Sequence, residues 1–137
     1  MTTNNTHFSP PRTIRKERKL LGGGPGDIPI IHTLYDTYVE WSELTVKFPK
    51  TQRFALGERV SGYLLDATEL LISAASTSNV EDKMTNLQLA SAKVDLTKLL
   101  VRLSKDTKSI SNTQYLQAES RLIDAGKMLG GWLKSLE

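Results

Sequence analysis

From residue 29 to the end of the chain, apolar residues recur at intervals of three and four, the spacing that gathers side chains on one side of an α-helix. Ile31, Leu34, Tyr38, Trp41, Thr45 and Phe48 form the first such face. Tyr35, Val39 and Val46 widen it, and Asp36, Glu40 and Glu43 lie off it. The second stretch carries two stripes, Leu56, Val60, Tyr63, Ala67, Leu70, Ala74 and Phe54, Gly57, Ser61, Leu64, Leu71, Ala75. A helix apolar over so much of its girth is either a subunit interface or a broad core face. In the third stretch Leu89, Ala92, Leu96, Leu99 and Leu103 mark the expected core face, flanked by Leu87, Val94, Leu100 and Val101. The fourth has the cleanest seam, Tyr115, Ala118, Leu122, Ala125, Leu129, Trp132 and Leu136.

The punctuation between these stretches predicts helices over approximately residues 29–48, 51–76, 80–106 and 112–136. Asp27 is the expected N-cap of the first, with Pro29 in its first turn. Pro49 stops that helix, and Thr51 is the expected cap of the second. Ser78 with Glu81, and Ser111 with Gln114, have capping-box spacing. No stretch alternates with the period of a strand. Long helices joined by short loops predict an all-α, antiparallel, up-down-up-down four-helix bundle over residues 28–137. Gly130 and Gly131 are costly in a helix. They either admit another backbone beside Trp132 or mark a fraying end, and Leu133 and Leu136 beyond them argue against fraying.

Composition changes this picture at the N-terminus. Residues 1–27 are rich in Thr, Asn, Ser, Pro and Gly, and read as a flexible basic arm. Arg12, Arg15, Lys16, Arg18 and Lys19 stand there against Glu17 and Asp27, so the arm carries the chain's whole net charge of +3. It is either a short basic helix formed on a partner or a solubilising tail. The remaining chain is neutral, yet the bundle topology separates its charges. One end collects Lys47, Lys50, Arg53, Lys98, Arg102, Lys105 and Lys108 against Glu58 and Asp106, with Arg59 just inward; the other collects Asp27, Asp36, Asp66, Glu69, Glu81, Asp82, Asp124 and Glu137 against Lys83, Lys127 and Lys134. Helix-dipole compensation explains Arg102 and Lys105 at a helix C-terminus. It leaves Lys50 and Arg53 unexplained at a helix start, which favours an anion-binding end.

Much chemistry is excluded. There is no cysteine, hence no disulfide and no thiolate site. His7 and His32 are the only histidines, too few for a di-iron bundle, so neither metal nor cofactor is expected. No glycine-rich loop has the lysine of a phosphate-binding loop. The spaced pairs Glu40 and Glu43, and Asp66 and Glu69, read as solvated faces rather than acid–base pairs. No run reaches the roughly 18–20 apolar residues of a membrane span. The expectation is a cytoplasmic protein that is not an enzyme.

Three segments carry a resemblance: Phe48-Pro49-Lys50-Thr51-Gln52-Arg53-Phe54-Ala55-Leu56-Gly57, Leu99-Leu100-Val101-Arg102-Leu103, and Gly126-Lys127-Met128-Leu129-Gly130-Gly131-Trp132-Leu133. In that order they resemble the accessory variability determinant (Avd) proteins of diversity-generating retroelements, over about residues 29–136. Those proteins belong to a wider group of four-helix bundles that includes proteins encoded in intervening sequences of ribosomal RNA genes. The resemblance implies a non-catalytic, homopentameric partner of a reverse transcriptase that binds template RNA or cDNA. Contact with nucleic acid or transcriptase would then fall to Lys50, Arg53, Arg59, Lys98, Arg102, Lys105 and Lys108, with the arm's Arg12, Arg15, Lys16, Arg18 and Lys19. Subunit packing would fall to Tyr63, Leu70, Gly130, Gly131 and Trp132. The basic arm and the neutral body depart from the family pattern. The competing reading is a structural or regulatory helical oligomer that binds no nucleic acid.

Overall fold

Each apolar stretch becomes a long helix in the computed structural model, which describes residues 28–137. The expectations for the arm and for Asp27 lie outside those residues. Helix α1 spans Pro29–Thr45. After a turn comes one helical turn, Lys50–Gln52, then a π-helical segment, Arg53–Gly57, which runs on into α2, Glu58–Ser76. Helix α3 spans Val80–Asp106 and α4 spans Asn112–Ser135. Among the described residues there is no strand. α1 packs on α2 and α4, α2 on α3, and α3 on α4, with the most extensive contact between α2 and α3. The result is a helical bundle around one core, in which Leu34, Trp41, Val60, Leu64, Leu71, Leu87, Leu122 and Leu129 are fully buried.

The helix ends follow local hydrogen-bonding chemistry. α1 stops at Thr45, short of Phe48, because the Lys47 and Phe48 amides bond back to Leu44 and Thr45 over three residues. Its N-cap is Ile28, which supplies no side-chain cap. Pro49, not Thr51, caps the next turn, and its carbonyl accepts the Arg53 amide at 2.9 Å. Asn79 takes the role expected of Ser78, its side-chain Oδ1 accepting the Asp82 amide at 2.9 Å. The Ser111–Gln114 capping box forms in both directions, at 2.9 and 3.1 Å. α3 ends in a paired closure: the Ser109 amide reaches Ser104 and the Lys108 amide reaches Lys105, with Lys108 in the left-handed region at φ 62°.

The core faces of α2 and α4 lie where the periodicity puts them, with one exception. Leu56, Val60, Leu64, Ala67, Leu71 and Ala74 are buried, as are Ala118, Leu122, Ala125 and Leu129. Phe54, expected in the second stripe, is 58% exposed. α3 is turned the other way round. Leu87, Ala90, Val94, Thr97, Val101 and Ser104 face the core, while Leu89, Leu96, Leu99 and Leu103 face outward, at 51, 41, 55 and 40% exposure. Two polar residues can occupy this core because their hydroxyls bond to their own helix. Thr97 Oγ1 donates to the Lys93 carbonyl at 2.7 Å and Ser104 Oγ to the Leu100 carbonyl at 2.8 Å. Neither leaves an unmatched polar group, so each buries at little cost. Small side chains on α3 also suit its extensive contact with α2.

Gly57 sets how closely α1 approaches the second helix. A Cβ there would stand 3.0 Å from Thr45 Cγ2. The Thr45 side chain is held by its hydroxyl's bond to the Ser42 carbonyl at 3.0 Å, so it cannot simply swing aside. Gly57→Ala should therefore destabilise the fold by about 1 kcal/mol despite alanine's better helix propensity. Thr45→Ser, which removes the opposing methyl, should recover most of that loss in a double-mutant denaturation cycle. Additive effects of the two changes would contradict this account of the contact.

Candidate nucleic-acid and partner interface

The corner between α1 and α2 carries Lys50 and Arg53. Trp41 is 1% exposed and its indole Nε1 donates to the Gly57 carbonyl at 2.9 Å. Phe48 packs edge-on against the indole, with ring centroids 5.4 Å apart. The π-helical segment ends where the Glu58 amide reaches the Arg53 carbonyl, five residues back. That segment packs against both α1 and α3, so the corner and α3 meet in one surface.

Arg53 has a structural task in this corner. Its Nε donates to the Thr45 carbonyl at 3.2 Å, and its Nη2 to the carbonyls of Val46 at 2.9 Å and Phe48 at 3.4 Å. These carbonyls stand at and just beyond the last residue of α1, where a cation is favourable. Helix-dipole compensation thus accounts for Arg53 after all, through the preceding helix rather than its own. Lys50 and Phe54 stand exposed in the same short segment. An exposed aromatic ring among cations was not identified in the sequence, where Phe54 fitted an apolar stripe.

The other basic residues divide by environment. Lys98 pairs with Asp95 at 3.5 Å. Lys105 pairs with Asp106 at 3.7 Å and lies over the Tyr115 ring, 4.6 Å from its centroid. The Tyr115 hydroxyl donates to Glu119, and that bond is the main cause holding the phenol above its ordinary pKa. Arg59, Arg102 and Lys108 are exposed, and like Lys50 they enter no ion pair among the described residues. Of the residues expected in subunit packing, Tyr63 lies under Lys93, 4.9 Å from ring centroid to Nζ, and Leu70 and Trp132 pack half-buried against the protomer's own core. Gly130 and Gly131 are exposed, and a Cβ added to either would meet nothing within 4 Å.

A family model described as bAvd-like matches residues 30–136. The chain belongs to the bAvd-like family. The match spans all four helices and the basic corner, and begins just beyond the arm. Neither the comparison with curated proteins nor the comparison with solved structures gives a match. Among the described residues no group of histidine, aspartate and glutamate is placed to hold a metal ion, and no helix is long and apolar enough to cross a membrane.

A buried ion pair in this family member was not legible from its periodicity. Asp36 and Glu40, which lie off the predicted apolar face, are 7 and 8% exposed. Glu40 Oε1 stands 3.5 Å from Arg121 Nε, joining α1 to α4. Burial pushes the Glu40 carboxyl above its ordinary value against the pull of Arg121, and Glu43 and Asp36 push the same way. Burial likewise lowers Arg121, against the attraction of Glu40 and Asp36. The pair is a tie between helices. An arginine midway along the outer edge of the cleanest seam was its one sequence signal.

Glu40 ionises less readily in the fold than in the unfolded chain. Its contribution is therefore fully present below the ordinary glutamate range and is lost as pH rises through its raised value. Arg121→Met should cost about 3 kcal/mol at pH 7 by leaving the carboxylate uncompensated. Acidification towards pH 5 should narrow the gap to the wild type, and adding Glu40→Gln should narrow it at pH 7. Urea titrations at the two pH values check this, and a deficit unchanged by both would count against the pair.

Proposed function

We propose that this chain is a non-catalytic accessory subunit of a diversity-generating retroelement, working in the cytoplasm with its reverse transcriptase. The observation that carries this reading is the bAvd-like match across residues 30–136, which includes the basic corner. The four helices form an antiparallel up-down-up-down bundle behind the arm. Two contacts between α1 and α4 support that topology. Thr33 meets Met128 and Glu40 meets Arg121, so advance along one helix accompanies retreat along the other.

The basic end holds template RNA or cDNA. Lys50, Arg59, Arg102 and Lys108 supply the cations, with Lys98 and Lys105 beside them and Arg53 holding the corner rigid. Phe54 offers a face on which an unpaired base can stack. Lys108 is informative here, because its left-handed backbone is a position that glycine fills without strain. A lysine at such a site fits a role for its charge. The protein also assembles with itself, and the pentamer implied by the family resemblance is the expected number. The outward leucines of α3 support self-assembly.

Fluorescence anisotropy with single-stranded RNA tests the nucleic-acid part. With four phosphate contacts, affinity should fall roughly 50-fold between 50 and 200 mM salt. Lys50→Glu, Arg102→Glu and Lys108→Glu together should abolish binding while leaving helicity intact; Arg53 is spared because it caps α1. Lys108→Gly should weaken binding yet stabilise the fold by about 1 kcal/mol. Equal binding by the triple variant would remove the basic end from the account. Salt-sensitive self-association without RNA binding would favour the structural-oligomer reading.

A further inference from the structure

A cleft of about 520 Å³ opens between α1 and α2 beside the corner. Tyr38, Ser42 and Thr45 line it from α1, and Ser61, Gly62 and Leu65 from α2. Arg53, Gly57 and Glu58 line it where the π-helical segment joins α2. At Gly62 an added Cβ would meet nothing within 4 Å, so this glycine leaves space that a side chain would fill. The π-helical turn decides which charges face that space. Residues five apart in an α-helix are well past one turn of 3.6 residues. Where a backbone bond spans five residues, as from the Glu58 amide to the Arg53 carbonyl, the turn is wider and brings the two closer to one side. Arg53 and Glu58 form no ion pair among the described residues, so a cation and a carboxylate share the lining without neutralising each other.

The hydrogen-bonding capacity left over in this cleft is specific. Ser42 Oγ, Thr45 Oγ1 and Ser61 Oγ donate to the carbonyls of Tyr38, Ser42 and Gly57, at 2.9, 3.0 and 3.1 Å. With their protons committed, they offer the cleft only lone pairs. Glu58 makes no hydrogen bond or ion pair among the described residues, and its carboxylate adds two acceptor oxygens. Arg53 spends Nε and Nη2 on the carbonyls of the corner and keeps Nη1 as a donor. The lining therefore sets a pair of carboxylate acceptors near one guanidinium donor. Among the RNA bases, guanine alone has two neighbouring donors on its Watson–Crick edge, N1–H and N2–H, with an acceptor, O6, beside them. Unpaired bases are read on that edge.

We infer that the cleft receives one unpaired guanine of a strand held at the corner. Glu58 accepts from N1–H and N2–H, and Arg53 Nη1 donates to O6. The hydroxyl oxygens of Ser42 and Ser61 are acceptors for the second N2 proton, and Tyr38 and Leu65 supply apolar surface for the ring. This rests on the nucleic-acid binding proposed above and adds a base preference to it. An arginine side chain of a protein would bring the carboxylate similar paired donors. It would also set a second cation against Arg53 and leave Nη1 without an acceptor, so guanine fits better.

Fluorescence anisotropy of the full chain tests this with three short RNAs: all uridine, and the same strand with one central guanosine or one central inosine. The guanosine strand should bind about tenfold more tightly than the uridine strand. The inosine strand, which lacks the N2 amine, should fall between them. Glu58→Gln should bind the uridine strand at least as well as the wild type, because a negative charge near the phosphates is gone, yet lose the preference for guanosine. Gly62→Leu, whose side chain would occupy the cleft, should lose the same preference and keep its affinity for uridine. Should that leucine disturb the fold by circular dichroism, Glu58→Gln carries the test alone. In NMR titrations guanosine monophosphate should shift the Gly62 amide, and adenosine monophosphate should not. Equal affinity for all three strands, or a guanosine preference that survives Glu58→Gln, would overturn the guanine site and leave nucleic-acid binding standing. A Gly62 shift with an arginine-rich peptide alone would give the cleft to a protein and overturn it too. Failure to bind any of the strands would overturn the nucleic-acid reading itself, and the guanine site with it.

Discussion

The hydrogen bond from Trp41 to the Gly57 carbonyl is the constraint on which the corner between α1 and α2 depends. A fully buried indole must find an acceptor, and the acceptor here is backbone in a π-helical segment rather than another side chain. The bond therefore fixes the course of the main chain where it re-enters the bundle. Phe48 closes the indole from one side, and the missing Cβ of Gly57 lets α1 come close. Arg53 then gathers the carbonyls at and just beyond the end of α1. What remains exposed, Lys50 and Phe54, is presented on a corner whose backbone has little freedom. Preorganisation of this kind lowers the cost of ordering a binding surface.

Much of the architecture was legible because it rests on repetition. The seam of α4 and the main face of α2 are long and regular, and the Ser111–Gln114 box needs only its own two side chains. α3 misled for a physical reason. Its leucines form the more hydrophobic seam, and by hydrophobicity alone they belong inside. The bundle instead buries the seam with smaller residues, where Thr97 and Ser104 satisfy their hydroxyls on the helix backbone. Leu87, Val94 and Val101, which flank the leucines in sequence, are the residues that face the core. Helix ends shifted for a related reason: Asn79 outcompetes Ser78 one residue earlier, and Pro49 displaces Thr51.

The candidate interface was legible as charge but not as role. Counting cations could not separate Arg53, bound to three carbonyls, from Lys50, which is exposed. Nor could it foresee that Lys108 holds a left-handed turn or that Phe54 leaves the core. The buried Glu40–Arg121 pair was hidden by the same rule that served elsewhere, since charged residues off an apolar face are ordinarily solvated. Packed against α4, that side of α1 is interior. Among the described residues, Asp66–Lys93 and Glu40–Arg121 tie helices together, while Lys50 at the corner enters no ion pair.

The proposed nucleic-acid surface is the corner between α1 and α2. Hydrogen–deuterium exchange of the full chain, with and without a single-stranded RNA, tests it most directly. New protection should concentrate in the amides of residues 46–58 and 105–111. Protection confined to the Ser76–Val80 loop at the acidic end, with the corner unchanged, would contradict it.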